Sequence, residues 1–343
     1  MVWRFMARRL AAGAIQLLLL VIAVFFLIRL LPADPVSRFV GLNASPEAYA
    51  SAKAHLGLDR PTLVQLASYL GVWPRLWGPG LLQGDLGTSW VTDTPVATEI
   101  GTYLPITLEL VTLSFLTAFV VALPLGILGA LRPGGTADRI TFTYGLFAGS
   151  QPEFWWGLLF VYVFFYVLGW APAPLGLLSP LTDPPPYHTG FVTIDSLLAG
   201  RPDVFAEALA HLALPVLTLA FVLSGPVVKM VRQNMARALE SEFVLYGRGA
   251  GLRGRTIAGY ALRVAFAPSM TLIGILYSYM LGGAVLVEGV FSLGGLGQYA
   301  VRSILAFDYP AIQGVVLVIT ALSLGIYLLL DLLHALIDPR VAM

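Results

Sequence analysis

The 343-residue chain contains no cysteine, so disulfides and thiolate metal sites are excluded. It has two lysines, Lys53 and Lys229, and neither follows the glycines of a G-x-x-x-x-G-K-[ST] phosphate loop. Any nucleotide hydrolysis therefore has to come from another chain. The four histidines (His55, His188, His211, His334) are dispersed and suggest no metal cluster. No Ser-His-Asp arrangement or His-Glu-x-x-His appears, and Gly289-Val-Phe-Ser-Leu-Gly294 lacks nucleophile-elbow spacing. Charge is scarce as well: 11% of residues are charged against about 25% in an ordinary soluble domain, so this chain belongs in lipid.

Apolar length is abundant. Hydrophobic residues make up 58% of the chain, and mean hydropathy is +0.83. Six runs stand out: Leu10–Ile28, Leu110–Leu131, Phe154–Leu168, Leu212–Val228, Val264–Val287 and Tyr309–Leu330. A helix crosses the hydrocarbon core with about 17–25 apolar residues. Four runs suffice as they stand; the third and fourth extend into neutral flanks. Backbone groups in lipid must bond internally, and these runs are too long and unbroken for barrel strands. The expectation is an all-α polytopic membrane protein with six transmembrane helices. Leu10–Ile28 is too long for a signal-peptide core and is read as a retained first helix.

The basic residues orient the chain. With the N-terminus inside, cytoplasmic segments hold thirteen of the twenty Lys and Arg residues, which predicts both termini in the cytoplasm. Seven of them fall in Lys229–Arg263, against two acids, Glu240 and Glu242. The domain reading follows: 1–32 is the N-terminus and first helix, and 33–104 an extracytoplasmic subdomain. The remainder, 105–343, is a five-helix core with a basic cytoplasmic loop at 229–263. In the subdomain, Ser45-Pro46-Glu47 is a helix start for a helix through His55 that stops at Gly57, and Thr62–Gly71 fits a second short helix. Gly84–Ser89 is a turn-rich return, and Ala171–Gly200 reads as an ordered outer loop. Ionisable residues inside the spans are Glu109, Glu153 and Asp331. Glu109 and Asp331 are expected where water or headgroups solvate them; Glu153 lies deeper if helix three begins near Ile140.

These residues resemble a known family along nearly the whole chain: the integral-membrane permease subunit of binding-protein-dependent ABC importers, in the branch handling dipeptides, oligopeptides, nickel and glutathione. The resemblance runs through Leu30-Leu-Pro-Ala-Asp-Pro-Val36, Leu56-Gly-Leu-Asp-Arg-Pro61, Gly84-Asp-Leu-Gly-Thr-Ser89 and Leu104-Pro-Ile-Thr-Leu-Glu-Leu110. It continues through Pro152-Glu-Phe-Trp155, Asp195-Ser-Leu-Leu-Ala-Gly200 and His211-Leu-Ala-Leu-Pro215. It closes on Val287-Glu-Gly-Val-Phe-Ser292, Gly294-Gly-Leu-Gly297, Asp308-Tyr-Pro310 and Asp338-Pro-Arg340. Order along the chain makes these motifs specific.

The resemblance implies the type I importer permease fold and no catalysis in this chain, with ATP and magnesium held by partner subunits. It also implies the partners: a second homologous permease, two ATP-binding subunits, an extracytoplasmic solute-binding protein and the lipid membrane, with no nucleic acid. Location would be the bacterial inner membrane. The basic loop resembles the family's coupling helix, carried here by Glu242, Phe243, Leu245, Tyr246, Gly247, Arg248, Gly251, Leu252, Arg263 and the terminal Pro268. It departs from the common pattern at Tyr246-Gly247, Gly249-Ala250, Tyr260 and Val264. An anionic-lipid anchor would need the charge but not the Gly251 turn. Candidate path residues are Ser114, Thr117, Glu153, Thr218, Ser224, Ser278 and Tyr279, although small polar residues also serve helix packing. Peptide is the expected cargo. The alternative from another class is an ion-gradient-driven transporter or channel acting without an ATPase.

Overall fold

The structure is a computed structural model and describes residues 2–30, 34–41, 44–72, 78–266 and 269–337. Among these residues it is α-helical, with a single isolated β-bridge between Thr88 and Pro95. Five helices are long and apolar enough to cross a membrane: Met6–Leu30 of α1 (Val2–Leu30), α5 (Val96–Leu131), α9 (Pro202–Leu239), Leu272–Phe291 of α12 (Ser269–Phe291) and Tyr309–Leu332 of α14 (Tyr309–Ile337). The third expected span is shorter. Helix α7 (Glu153–Phe160) continues as a wider π-helical coil, Val161–Val167. It is separated from α6 (Thr136–Ala148) by Gly149–Pro152, so helix three does not begin near Ile140 and Glu153 stands in a first turn. The second span starts at Val96, not Leu110, which takes the last residues of the expected outer subdomain into a helix. Val264 lies in α11 (Gly254–Phe266) rather than in the fifth span. Pro268 and Asp338–Arg340 fall outside the described residues.

The chain divides into two compact units. One comprises Ala7–Pro105 and Gly295–Leu324. Its small helices follow their local signals. The Asp34 carboxylate accepts from Val36 N at the start of α2 (Pro35–Val40). Ser45 caps α3 (Pro46–His55) by accepting from Ala48 N at 3.2 Å. Helix α4 (Thr62–Leu70) stops at Gly71 in the left-handed region. Val36, Ala52 and Leu56 form a core under these helices. A second core joins Val96 and Ile100 to Ala311 and Val315, with Leu296 and Tyr299 from α13 (Leu296–Ala306). Buried Asp308 ties the turn to the helices: it accepts from Ser89 Oγ and from Trp90 N at 3.2 Å. Two stretches quoted for the resemblance, Gly84–Ser89 and Asp308–Pro310, thus meet through one carboxylate.

The other unit comprises Met1–Met6, Ile106–Gly294 and Gly325–Met343. Helix α9 is its spine, with Pro215 and Pro226 inside it. Tyr144 of α6 reaches Ser224 of α9 at 2.6 Å, and Arg232 of α9 is bonded to Asp138 of α6. That partnership holds the Asp138 carboxyl below the usual carboxylate range.

Candidate coupling surface and buried polar sites

Helix α9 ends at Glu240, and Ser241 in extended backbone opens α10 (Glu242–Gly249). Only two of its side-chain positions face inward: Val244 and Gly247 are buried. A Cβ on Gly247 would meet Leu252 Cδ1 at 3.4 Å and Ile257 at 3.8 Å, ordinary van der Waals contact, so this position packs against α11 without requiring glycine. The chain reverses at Gly251, whose φ of +74° belongs to the region glycine occupies without penalty. Leu252 N closes the turn by donating to Gly247 O at 3.0 Å, and Gly251 N donates to Arg248 O at 3.1 Å. Helix α11 buries Ile257, Ala261 and Ala265 at a four-residue spacing. Its alanines join Ala130, Met235 and Ala238 in one core, so small side chains hold the hairpin against the ends of α5 and α9.

The opposite faces have no cover. Leu245 is 74% exposed and Tyr246 81%, with Phe243 and Leu252 also exposed. Arg248, Arg253, Arg255 and Arg263 belong to the same hairpin, all exposed and without a carboxylate partner among the described residues. An apolar patch rimmed by cations is the signature of a protein-binding surface with complementary chemistry. Of the ten residues read as the coupling loop, the structure gathers nine into this hairpin.

The path candidates divide. Ser114 and Thr218 are fully buried and donate to the carbonyls four residues earlier, Leu110 O and Leu214 O. Ser224 shares its hydroxyl with Tyr144 and donates to Phe221 O. These three hydroxyls are spent inside the unit. Ser278 Oγ is buried without a hydrogen-bond partner, and Thr117 is half-buried. Glu153 and Tyr279 come near one another: Tyr279 is 61% exposed and lies close to the half-buried Glu153 carboxylate.

Glu109 corrects an expectation. It is buried, and water does not solvate it. Its two oxygens accept from Val192 N at 3.0 Å, Thr193 N at 2.9 Å and the Thr193 hydroxyl, capping α8 (Val192–Leu198). The reason is that a helix start carries unpaired N–H groups which the surrounding protein must satisfy. Asp195 of α8 performs the same service for the loop before it. Burial pushes this carboxyl up, but N–H groups of His188, Thr189 and Gly190 and the Thr189 hydroxyl outweigh burial and hold it below the usual range. Glu288 was passed over because it sits one residue beyond the apolar run ending at Val287. Helix α12 continues to Phe291, and Glu288 is wholly buried, accepting from the Thr107 hydroxyl. The signal available was its place in Val287–Ser292.

Comparison with known proteins supplies the family. Residues 122–343 match the model of the binding-protein-dependent transport system inner membrane component. The chain belongs to this family. Residues 1–111 match the separate model of its N-terminal part. The probable D,D-dipeptide transport system permease protein of Escherichia coli K12 is 38% identical over 92% of this chain and 91% of its own length. The di/tripeptide transport system permease protein of Pseudomonas aeruginosa is 35% identical over 98% of both chains. The dipeptide transport system permease protein of Escherichia coli K12 is 33% identical over 98% of both. The chain is thus a multi-pass transport permease subunit of the inner membrane.

Proposed function

We propose that this chain forms half of the translocation path of a short-peptide importer and couples to ATP-binding subunits through the α10–α11 hairpin. A homologous permease completes the path, two ATP-binding subunits hold ATP and magnesium, and an extracytoplasmic solute-binding protein delivers cargo. The exposed Leu245–Tyr246 patch with its arginine rim carries the coupling reading. Such a knob fits a cleft in a soluble subunit, and the Gly251 turn fixes its presentation. The permease does no chemistry; it converts differential contacts with its partners into a shift between two conformations. The peptide cargo rests on the names of the relatives.

The sixth crossing belongs to Glu153–Val167. Glu109 lies within α5 and Asp138 at the start of α6, just past the C-terminal end of α5, and the helical stretch from Glu109 to Leu131 spans roughly 33 Å at 1.5 Å per residue. Glu109 is bonded to Val192 and Thr193, whereas Asp138 is bonded to Arg232. Between Asp138 and Val192 the chain must therefore traverse the membrane, and α7 with its continuation is the apolar segment available. Trp155 and Trp156 near its start and Tyr166 and Trp170 near its end suit the two interfaces. Six crossings put both termini on the cytoplasmic side with the basic hairpin, and residues 34–95 outside.

The test is reconstitution. Coexpression with the neighbouring transport genes should yield a complex containing an ATPase, and proteoliposomes should take up labelled dipeptide only with ATP and the binding protein. Uptake by this chain alone, driven by an ion gradient, would sink the proposal.

A further inference from the structure

The unit comprising Ala7–Pro105 and Gly295–Leu324 holds a cavity of about 710 Å³, whose described lining residues all belong to that unit. The size lies within the range of small-molecule sites. Its donors are unmatched. Arg29 stacks on Phe25, with its guanidinium carbon 3.5 Å from the ring centroid; Nε donates to Gln65 and one terminal nitrogen to Phe25 O. Of the five N–H groups of a guanidinium, three are left over, and no carboxylate pairs with Arg29 among the described residues. Gln313 is 5% exposed, lines the same cavity, and its Nε2 is buried with no partner. Gln313 stands one helical turn after Tyr309, whose ring lies 5.5 Å from the Arg29 guanidinium carbon. A half-buried cation without a counter-charge within bonding distance and a buried amide without an acceptor are both costly arrangements. A group with two acceptor oxygens and a negative charge relieves both.

We infer that this cavity binds the terminal carboxylate of a short peptide, held by Arg29 and Gln313. The rest of the wall fits such a zwitterion. Asp85 and Asp93 also line the cavity; Asp85 commits one oxygen to Gly87 N at 2.8 Å and keeps the other. These acids suit an ammonium and disfavour a ligand with net negative charge, such as an anionic lipid headgroup. Trp90 and Tyr309, 5.1 Å apart between ring centroids, supply apolar wall for side chains. None of the path candidates or hairpin residues is among its lining residues. The inference rests on the peptide cargo proposed above.

The experiment is calorimetric titration of the full chain in phosphatidylcholine nanodiscs with dialanine, its C-terminal amide and N-acetyl-dialanine. Dialanine should bind, the amide should bind at least tenfold more weakly, and the acetyl form should be weakened less. Arg29→Gln should bring acid and amide within twofold of each other. Gln313→Leu, which removes no charge, should weaken the acid several-fold with an unchanged melting midpoint, so the result does not depend on Arg29→Gln folding. Equal binding of acid and amide, discrimination surviving Arg29→Gln, or no binding to the wild type would overturn the inference. Loss of binding when phosphatidylglycerol is added to the discs would also overturn it, because a lipid phosphate would then hold the site. ATP-driven dipeptide uptake by the assembled importer separates the two readings: uptake without cavity binding sinks this inference alone, and absence of uptake sinks the cargo reading.

Discussion

Helices α8 and α10 are of nearly equal length and lie in the same unit, yet they are held by opposite means. At α8, Thr193, Asp195 and Ser196 are buried, Glu109 caps the first turn, and Asp195 ties down the preceding loop. At α10 the Ser241 side chain makes no capping bond to the helix, two positions face inward, and the large apolar side chains face outward. Neither is long enough to be stable alone in water. The first is finished within this chain, whereas the second leaves Leu245 and Tyr246 uncovered, the feature on which the proposed coupling role rests. A buried polar anchor marks scaffold here, and an exposed apolar helix marks the candidate contact surface.

The largest expected effect breaks the anchored side of that contrast. Glu109→Ala leaves two buried N–H groups and a hydroxyl without an acceptor, a loss of about 3–5 kcal/mol. Thermal unfolding in detergent should show it, together with rapid cleavage after Arg201. Glu109→Gln retains one acceptor oxygen and should lose less than half as much. A variant Glu109→Ala as stable as wild type would mean that α8 is held by something other than this cap.

The next effect bears on the presented side. Gly251→Val places a β-branched residue at a φ of +74°, a strain of about 1–3 kcal/mol. No neighbour lies within 4 Å of the added Cβ, so the penalty is conformational rather than steric crowding. In the assembled importer, ATP hydrolysis should persist while peptide uptake falls. Uptake and hydrolysis that stay in their wild-type ratio would remove the hairpin from coupling.

A milder perturbation of α8 comes from acid. The Asp195 carboxyl is held below its ordinary value in the folded protein. Its contribution to stability is complete above the unfolded pKa of about 3.9 and is lost as pH falls through the folded value. Loop 188–190 should therefore loosen at lower pH than an ordinary aspartate would titrate, and Asp195→Asn should abolish that acid transition in amide hydrogen exchange.

What the residue pattern revealed, and what it hid, follows the same division. Short-range signals were enough for α3, α4, α10 and the Gly251 turn, because Ser45, Pro46, Gly71 and Gly251 act within one turn of the chain. Hydropathy located the long helices and the start of α14 at Tyr309 but misplaced other starts: polar Glu99 and Thr102 are compatible with α5, and nothing in an apolar count says so. The roles of Glu109, Glu288 and Asp308 were illegible, since their partners lie 84, 181 and 219 positions away. A carboxylate near a hydropathy boundary looks solvated until the donors that bury it are known.

The smallest expected change in stability sharpens the contrast most. Tyr246→Ala removes a side chain that is 81% exposed and hydrogen-bonds to no described residue, so stability should stay within about ±0.5 kcal/mol of wild type. Its aromatic face is nonetheless the largest apolar element on α10, and aromatic anchors ringed by polar groups dominate protein interfaces. Recovery of the ATP-binding subunits with the tagged permease should drop about tenfold, and Leu245→Ala should add to the loss. Full recovery of those subunits with both side chains removed would show that the arginine rim alone makes the contact, and the exposed apolar face of α10 would then need another explanation.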